Sequence, residues 1–183
     1  QKIKLTHGNT PLGGFMAKQR RLSRKEKRRV EREQDYMMGI LNTKFSMRQI
    51  KPLTPSQSEL FDSYQQGFNL AAIGTAGTGK TMCATYLALN DVLQKGEYEK
   101  VVIIRSAVQT REQGFMPGSQ AQKEAVFEAP YTDITNDLFG RKDAYQILKT
   151  KGMIEFKTSS FVRGLTFDNA IIIVDECQSM TYH

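Results

Sequence analysis

A glycine-rich segment of the sequence has the residue types needed to bind phosphate. Residues 74–81, GTAGTGKT, match the pattern G-x-x-x-x-G-K-[ST]. Glycines let successive backbone N–H groups point inward, and a helix beginning near Lys80 adds its positive dipole end. Lys80 is expected to reach the outer phosphates, and the Thr81 hydroxyl to hold Mg²⁺. The sequence predicts that the phosphates of a nucleotide, ATP, bind to Gly74, Thr75, Ala76, Gly77, Thr78, Gly79, Lys80, Thr81 and Met82.

A second set of candidate catalytic residues follows an apolar run near the other end of the sequence. Residues 170–178 are AIIIVDECQ, and a buried strand is predicted to end at Asp175 and Glu176. Ligands of an open parallel sheet bind at the carboxyl ends of its strands. Asp175 is expected to orient Mg²⁺ through its water shell, and Glu176 to position or deprotonate the attacking water. Gln178 is expected to lie near the γ-phosphate and to sense its presence.

Gln57 has two interpretations that the sequence leaves open. Thr54 is a good N-cap and Pro55 suits the first turn of a helix, so Gln57 completes a capping box. Its amide also offers a donor and an acceptor that could recognise the adenine edge. The two roles are compatible, and Gln57 is therefore a candidate nucleotide contact.

Apolar strands and helices alternate along the chain and would position these groups. A buried strand over residues 68–73 is predicted to lead into the phosphate loop, and the β-branched run 100–105 is expected to lie inside a parallel sheet. The pattern predicts an α/β fold with a mainly parallel sheet. Further strands are predicted at residues 153–156 and 170–174, and helices at residues 82–93, 121–127, 132–139 and 141–150.

Most of the positive charge lies near the start of the chain. The net charge is +7, and residues 18–33 alone contain nine basic and three acidic residues. Two interpretations stay open: a solvated, partly helical tail, or an arm that contacts the phosphate backbone of nucleic acid without reading its sequence. We expect a basic, loosely structured arm over residues 1–50 and a nucleotide-binding domain over residues 51–183. The candidate contacts in the arm are Arg20, Arg21, Arg28 and Arg29.

The composition argues against a membrane segment and a metal cluster. The longest purely apolar run, residues 170–174, is far too short to span a bilayer, and no signal segment is recognisable. The two cysteines and two histidines show no zinc-ligand spacing. We therefore expect no membrane partner. We also expect a cytoplasmic location, which would be the host cytoplasm if the protein is viral.

The motifs together resemble the PhoH-like family of P-loop ATPases, with bacteriophage members most similar. The resemblance implies ATP binding and hydrolysis on a RecA-like, three-layer core related to superfamily 1 helicases, and in some members RNA unwinding. For Arg163 it implies contact with phosphate or a nucleic-acid strand beside the site, and Arg105, at a predicted strand end, is a candidate nucleic-acid contact; a surface charge without such a role is the alternative for both. The matching segments are TPSQ (54–57), GTAGTGKT (74–81), VVIIRSAV (101–108), GFMPGS (114–119), APY (129–131), FVRGLT (161–166) and DECQ (175–178).

The resemblance also implies two further features after the acidic strand, and neither is found in this sequence after residue 176. One is a strand with a polar sensor residue, and another is an arginine that reaches a neighbouring subunit's nucleotide, so the domain is expected to be incomplete at its C-terminus. Three functions remain open: an ATPase acting on RNA or single-stranded DNA, a nucleotide-dependent oligomeric switch, and a nucleotide-binding fragment without turnover. A homo-oligomer is expected, because one RecA-like module alone does not make a helicase.

Overall fold

The computed structural model describes residues 23–42, 46–106 and 120–180. The chain divides into two units, residues 1–38 and residues 39–183. The expectations for Arg20, Arg21 and the segment 114–119 lie outside the described residues. Most of the first helix, α1 (Arg24–Leu41), belongs to the first unit.

Helix α1 begins with a reciprocal capping box. The Ser23 backbone N–H donates to Glu26 Oε2 at 2.8 Å, and the Glu26 N–H donates to Ser23 Oγ at 3.3 Å. These bonds to Ser23 lower the pKa of Glu26. Residues 24–41 form a continuous helix, as the helix-forming composition of this segment favours.

A three-stranded, fully parallel sheet forms the centre of the second unit. Its strands are β1 (Lys100–Arg105), β2 (Ile154–Thr158) and β3 (Ala170–Asp175), in the order β2-β1-β3. The central strand β1 is the most buried, with Val101, Val102 and Ile103 fully covered. The α/β class, the parallel pairing and these three predicted strands are confirmed. The predicted burial on both faces is confirmed for β1 but is wrong for β3, where Ile172 and Val174 are exposed because no described strand covers its outer edge.

Four helices accompany the sheet. They are α2 (Pro55–Gln65), α3 (Lys80–Asn90), which continues as a π-helical turn over Asp91–Lys95, α4 (Gln120–Phe139) and α5 (Ala144–Thr150). The predicted N-cap of α2 is present, because Thr54 Oγ1 accepts from the Gln57 N–H at 3.2 Å. None of the helices in the described part of the chain is long and apolar enough to cross a membrane.

Helix α4 corrects a prediction made from Pro130. The sequence predicted two helices separated near this proline, whereas the structure has one helix that contains it. Proline removes one backbone donor from a helix. Tyr131 and Leu138, after the proline, are fully buried in the main core. Before it, Glu128 Oε1 accepts from Tyr145 Oη at 2.6 Å, so tertiary contacts hold residues on both sides of the proline.

The predicted strand over residues 68–73 is wrong. This segment forms no regular structure, and Phe68, Leu70 and Ile73 are exposed. A cavity of about 520 Å³ lies between residues 67–70 and residues 170–173 of β3. An apolar sequence becomes a strand only by pairing, and no described strand pairs with this segment or with the outer edge of β3.

The main core joins the sheet to helices α3, α4 and α5. Leu89, Tyr131, Leu138 and Leu148 pack with residues of β1 and β2 in one buried cluster. At the end of α3, Asp91 is buried but accepts from Tyr64 Oη at 2.7 Å and lies 2.8 Å from Lys95 Nζ. Burial, followed by the bond to Asp91, raises the pKa of Tyr64 well above its ordinary value. Nearer the start of α3, Cys83 and Leu87 pack with Phe61 of α2 in a second buried cluster, which holds the helix next to residues 74–79.

Truncating the core side chain of α3 is expected to destabilise the domain. Leu89 is fully buried, so Leu89→Ala should lower the free energy of unfolding by about 3 kcal/mol in urea denaturation followed by circular dichroism. Leu53→Ala is the matched control, since Leu53 is 88% exposed and its truncation should cost less than about 0.5 kcal/mol. Equal losses in the two variants would show that this packing does not support the fold.

Candidate functional site

The segment 74–81 forms an open loop that ends in the first turn of α3. Gly77 and Gly79 have φ angles of +78° and +81°, values that side-chain-bearing residues rarely adopt. Gly79 is the N-cap residue of α3, and a Cβ atom there would lie 3.3 Å from Gln57 Nε2. The predicted loop and helix start are therefore present; the φ angle favours glycine at 79, and a side chain there would also crowd the Gln57 amide.

Lys80 lies folded over this loop. Its Nζ donates to the carbonyl oxygens of Gly74 at 2.9 Å and Thr75 at 2.7 Å, and lies 3.4 Å from Thr78 Oγ1. The Thr78 hydroxyl donates in turn to the Thr75 carbonyl at 3.0 Å. Since a charged ammonium is held at the centre of the loop, an oxyanion bound there would compete with neutral carbonyls for its protons.

Gln57 connects α2 to the loop. Its Nε2 donates to the Thr78 carbonyl at 3.1 Å, and its Oε1 accepts from the Leu53 N–H at 2.7 Å. The side chain thus bonds the residue before the cap rather than the cap itself, a variation on the predicted capping box. Each end of the amide has a second bonding position, so the adenine contact stays a prediction.

A cavity of about 920 Å³ opens beside the loop. The residues around it combine the loop backbone with apolar side chains of α2, α3 and the preceding segment. Such a combination of polar groups at one end and apolar walls elsewhere is typical of small-molecule sites. Its lining includes Gln57, Leu60, Ile73, Gly77, Lys80 and Met82.

The carboxylate of Asp175 lies next to the loop helix. Asp175 Oδ2 accepts from Tyr131 Oη at 2.7 Å and lies 3.4 Å from Thr81 Oγ1, while Oδ1 accepts from the Glu176 N–H at 3.0 Å. The parallel register brings the ends of the two strands together, with Arg105 opposite Asp175. The two predicted metal-binding residues, Thr81 and Asp175, are therefore adjacent although 94 positions separate them in sequence.

These two groups fit a magnesium ion in their chemistry. A hydroxyl and a carboxylate are hard oxygen donors, and Mg²⁺ is usually held by one or two protein oxygens together with phosphate oxygens and water. Among the described residues, no three His, Cys, Asp or Glu side chains converge as an all-protein metal site. A cation at Asp175 would therefore depend on a bound nucleotide for much of its coordination.

Glu176 has a left-handed backbone conformation, with φ 53° and ψ 38°. This conformation is unfavourable for a residue with a side chain, and residues strained in this way cluster at functional sites. The Gln178 amide donates to Glu176 Oε2, and both side chains are exposed. The two candidate catalytic residues are thus adjacent on the turn that follows β3.

Sequence reasoning did not identify the role of Tyr131, which it named only as part of an APY motif. Burial, followed by the hydrogen bond to Asp175, raises the pKa of the Tyr131 phenol far above its ordinary value, while the nearby Arg105 acts in the opposite direction. The phenol is therefore a hydrogen-bond donor to Asp175 at neutral pH. No spacing pattern links residues 44 positions apart, so only the fold could show the contact.

The arginines predicted to contact nucleic acid lie in different places. Arg105 ends β1, with its Nη1 donating to the Phe127 carbonyl at 3.4 Å and its guanidinium 5.8 Å from the Phe127 ring centroid. Arg28 and Arg29 are exposed on α1, and Arg163 is exposed in the turn before β3. Arg105 is thus near the Asp175 carboxylate through the strand register, whereas Arg28 and Arg29 belong to the separate arm.

Comparison with known proteins gives one consistent result. A family model described as PhoH-like protein matches residues 49–183. A PhoH-like protein of Bacillus subtilis (strain 168) is 33% identical over 135 residues, which are 73% of this chain and 42% of the relative. One from Synechocystis sp. is 34% identical over 72% of this chain and 40% of the relative, and the protein PhoH of Escherichia coli (strain K12) is 32% identical over 60% and 31%. The chain spans less than half the length of these relatives.

The backbone conformation of Glu176 predicts an unusual order of stabilities. Glu176→Gly should be more stable than Glu176→Ala by about 1 kcal/mol, because only glycine adopts the left-handed conformation without a steric cost. Urea denaturation of the two variants measures the difference. The same pair at Glu59, an exposed position within α2, should show the opposite order, since glycine weakens a helix relative to alanine. The same order at both positions would contradict the strain assigned to Glu176.

Proposed function

The chain belongs to the PhoH-like protein family, and we propose that it binds ATP with Mg²⁺ at residues 74–81 and hydrolyses it. One observation carries this proposal: the Thr81 hydroxyl at the start of α3 lies 3.4 Å from the Asp175 carboxylate at the end of β3. Two motifs distant in sequence therefore converge on one point, beside a loop suited to phosphate. The RecA-like core inferred from the resemblance is part of the same proposal.

The nucleotide would lie in the 920 Å³ cavity, with its phosphates in the loop. Loop N–H groups and the N-terminus of α3 would bind the β-phosphate, and Lys80 would exchange its carbonyl acceptors for phosphate oxygens. Leu60 and Met82 offer apolar contact to the base. Gln57 could present its remaining amide proton to the adenine while keeping its bond to Thr78.

Glu176 and Gln178 are the proposed catalytic pair. When bound, Mg²⁺ would neutralise the charge that develops on the phosphates. Glu176 is the carboxylate next to Asp175 in sequence, and it begins the strained turn that follows β3. It would hold or deprotonate the attacking water, and the Gln178 amide, which donates to Glu176, would keep that carboxylate in place near the γ-phosphate.

Replacing Lys80 should weaken nucleotide binding. Lys80→Ala removes the only ammonium held within the loop by the described contacts, so the affinity for ADP should fall by roughly 10-fold to 100-fold in isothermal titration calorimetry. Lys142→Ala, an exposed lysine between α4 and α5, is the matched control and should leave the affinity unchanged. If both variants bind ADP as the unmutated protein does, the loop is not the phosphate site.

Replacing Glu176 should separate binding from turnover. Glu176→Gln keeps the shape but loses the negative charge, so kcat for phosphate release should fall by roughly 10²-fold to 10⁴-fold while ADP affinity changes little. Glu99→Gln is the control. Glu99 lies just before β1, at the amino end of the strand and away from Asp175, so its replacement should leave both quantities unchanged. Equal phosphate release by the unmutated chain and Glu176→Gln would favour nucleotide binding without turnover, as in a fragment or a switch.

Helix α1 supports a second part of the proposal, contact with single-stranded nucleic acid. Lys25, Arg29, Arg32 and Tyr36 follow one another at spacings of four, three and four residues, which places them on one face of the helix. The basic run itself contains no aromatic residue, but the helix extends beyond it and adds Tyr36, which is 67% exposed. Cationic groups followed by an exposed aromatic ring suit a phosphate backbone and a stacked base.

Acidic residues limit this basic face on one side. Glu26 and Glu33 border it, and Glu33 Oε1 lies 3.2 Å from Arg29 Nε. Both members of this pair are largely exposed, so the ion pair is weak and a phosphate could replace the carboxylate.

With RNA or single-stranded DNA as activator, the chain would be a nucleic-acid-dependent ATPase. A helicase needs a second RecA-like module, which a homo-oligomer of this chain would supply. Self-association in the presence of ATP can be measured as the mass of the protein in solution.

Removing a positive charge from the basic face of α1 should weaken binding to single-stranded nucleic acid more than removing one from its opposite face. Arg32→Ala should reduce the affinity for a fluorescein-labelled 20-nucleotide oligouridylate and lower the slope of log K against log salt by about 0.7. Lys27 lies on the opposite face of α1, so Lys27→Ala is the control and should have a smaller effect. Fluorescence anisotropy between 50 and 200 mM salt, about a 4-fold range, measures both. Equal effects would mean that α1 presents no binding face, and absence of binding would overturn the nucleic-acid proposal.

A further inference from the structure

Tyr131 is fully buried in the core, and its hydroxyl contacts Asp175, the proposed metal-binding carboxylate. Its ring packs 5.7 Å from the ring centroid of Phe156 on β2, and its hydroxyl donates to Asp175 Oδ2 at 2.7 Å. The ring is thus held by the hydrophobic cluster, while its only polar atom is directed at the end of β3. A buried phenol of this kind has a fixed position, in contrast to a group on the exposed loop.

The other donors to Asp175 restrain its side chain less. The Glu176 N–H bonds Oδ1 at 3.0 Å, but it belongs to the next residue of the same exposed turn. Thr81 Oγ1 is 3.4 Å from Oδ2, near the limit for a hydrogen bond, and its oxygen is a proposed metal ligand. Because the terminal torsion of an aspartate is broad, the carboxylate plane depends on its hydrogen bonds. Tyr131 supplies the shortest of the three.

Helix α4 is itself fixed next to this carboxylate. Phe127 lies one turn before Tyr131, and Arg105 bonds the Phe127 carbonyl and contacts its ring. Arg105 is the strand partner of Asp175 on β1. The carboxylate, the arginine and the phenol therefore form one connected group at the carboxyl edge of the sheet.

We propose that Tyr131 is a positioning residue, which orients the Asp175 carboxylate for the magnesium ion of the bound nucleotide. This inference rests on the proposed function and adds a residue to it from outside the loop and the strand. A group that hydrogen-bonds a metal ligand fixes the ligand's orientation, and its loss commonly lowers metal affinity by 10-fold to 100-fold. Nucleotide binding through the loop alone does not involve Tyr131.

The test compares two isosteric changes on buried phenols. Tyr131→Phe removes the hydroxyl that bonds Asp175, and Tyr145→Phe removes a hydroxyl that bonds Glu128 Oε1 at 2.6 Å. Both tyrosines are buried, so the two changes should affect thermal unfolding similarly. Mn²⁺ binding to the protein saturated with ADP is measured by electron paramagnetic resonance, and ADP binding in EDTA by calorimetry.

Tyr131→Phe is expected to lower Mn²⁺ affinity by roughly tenfold or more while ADP affinity in EDTA is unchanged. Tyr145→Phe should leave both values as in the unmutated protein. The inference is overturned if Tyr131→Phe keeps full Mn²⁺ affinity, or if both variants lose it equally with their stability. Should the unmutated protein bind ADP but no Mn²⁺, or no ADP at all, the proposed function itself fails, and the two failures are thereby distinguished.

Discussion

The Asp175 carboxylate depends on an interaction that no local segment of the chain can make alone. Its Oδ2 atom accepts from Tyr131 on α4 and lies beside Thr81 on α3, while the strand that carries it pairs with β1. Loss of α4 or α3 would remove one of the donors to this acidic group. The carboxylate therefore has this position only when the sheet, α3 and α4 are packed together.

The proposed phosphate loop, residues 74–81, is likewise held by contacts from other elements, on the other side of the site. Gln57 of α2 bonds the Thr78 carbonyl, and Lys80 bonds the carbonyls of Gly74 and Thr75. These contacts give an exposed loop a defined shape before any ligand is considered, which lowers the entropic cost of ordering it on binding. The core around Leu89 holds α3, the helix at which the loop ends. One half of the site is thus held by α2 and α3, and the other by β3 and α4.

Much of this arrangement could be predicted from sequence, because the relevant signals are local. The glycine pattern of residues 74–81 requires particular backbone angles, and Gly77 and Gly79 have them. The β-branched run of β1 is typical of a strand buried on both faces of a parallel sheet, and β1 is buried in this way. Asp175 and Thr81 could be expected to meet because both lie at the ends of elements that converge at one edge of the sheet. For these features, the residues determine the local structure, and topology then brings them together.

The errors came where pairing or packing over long distances decides. Residues 68–73 are as apolar as a buried strand, but no described strand pairs with them, and Ile172 and Val174 on β3 are also exposed. Pro130 indicated a break, yet the buried residues after it keep α4 continuous. The contact from Tyr131 to Asp175 had no sequence signal at all, since it depends on how α4 packs over the sheet.

The most direct test of the central claim is calorimetric titration of the unmutated protein with a non-hydrolysable ATP analogue, with Mg²⁺ and again with EDTA. If the loop and the end of β3 form one nucleotide–magnesium site, the titration shows a single saturable site per chain, and removing the metal weakens it. Absence of saturable binding, or an affinity independent of Mg²⁺, would contradict the account.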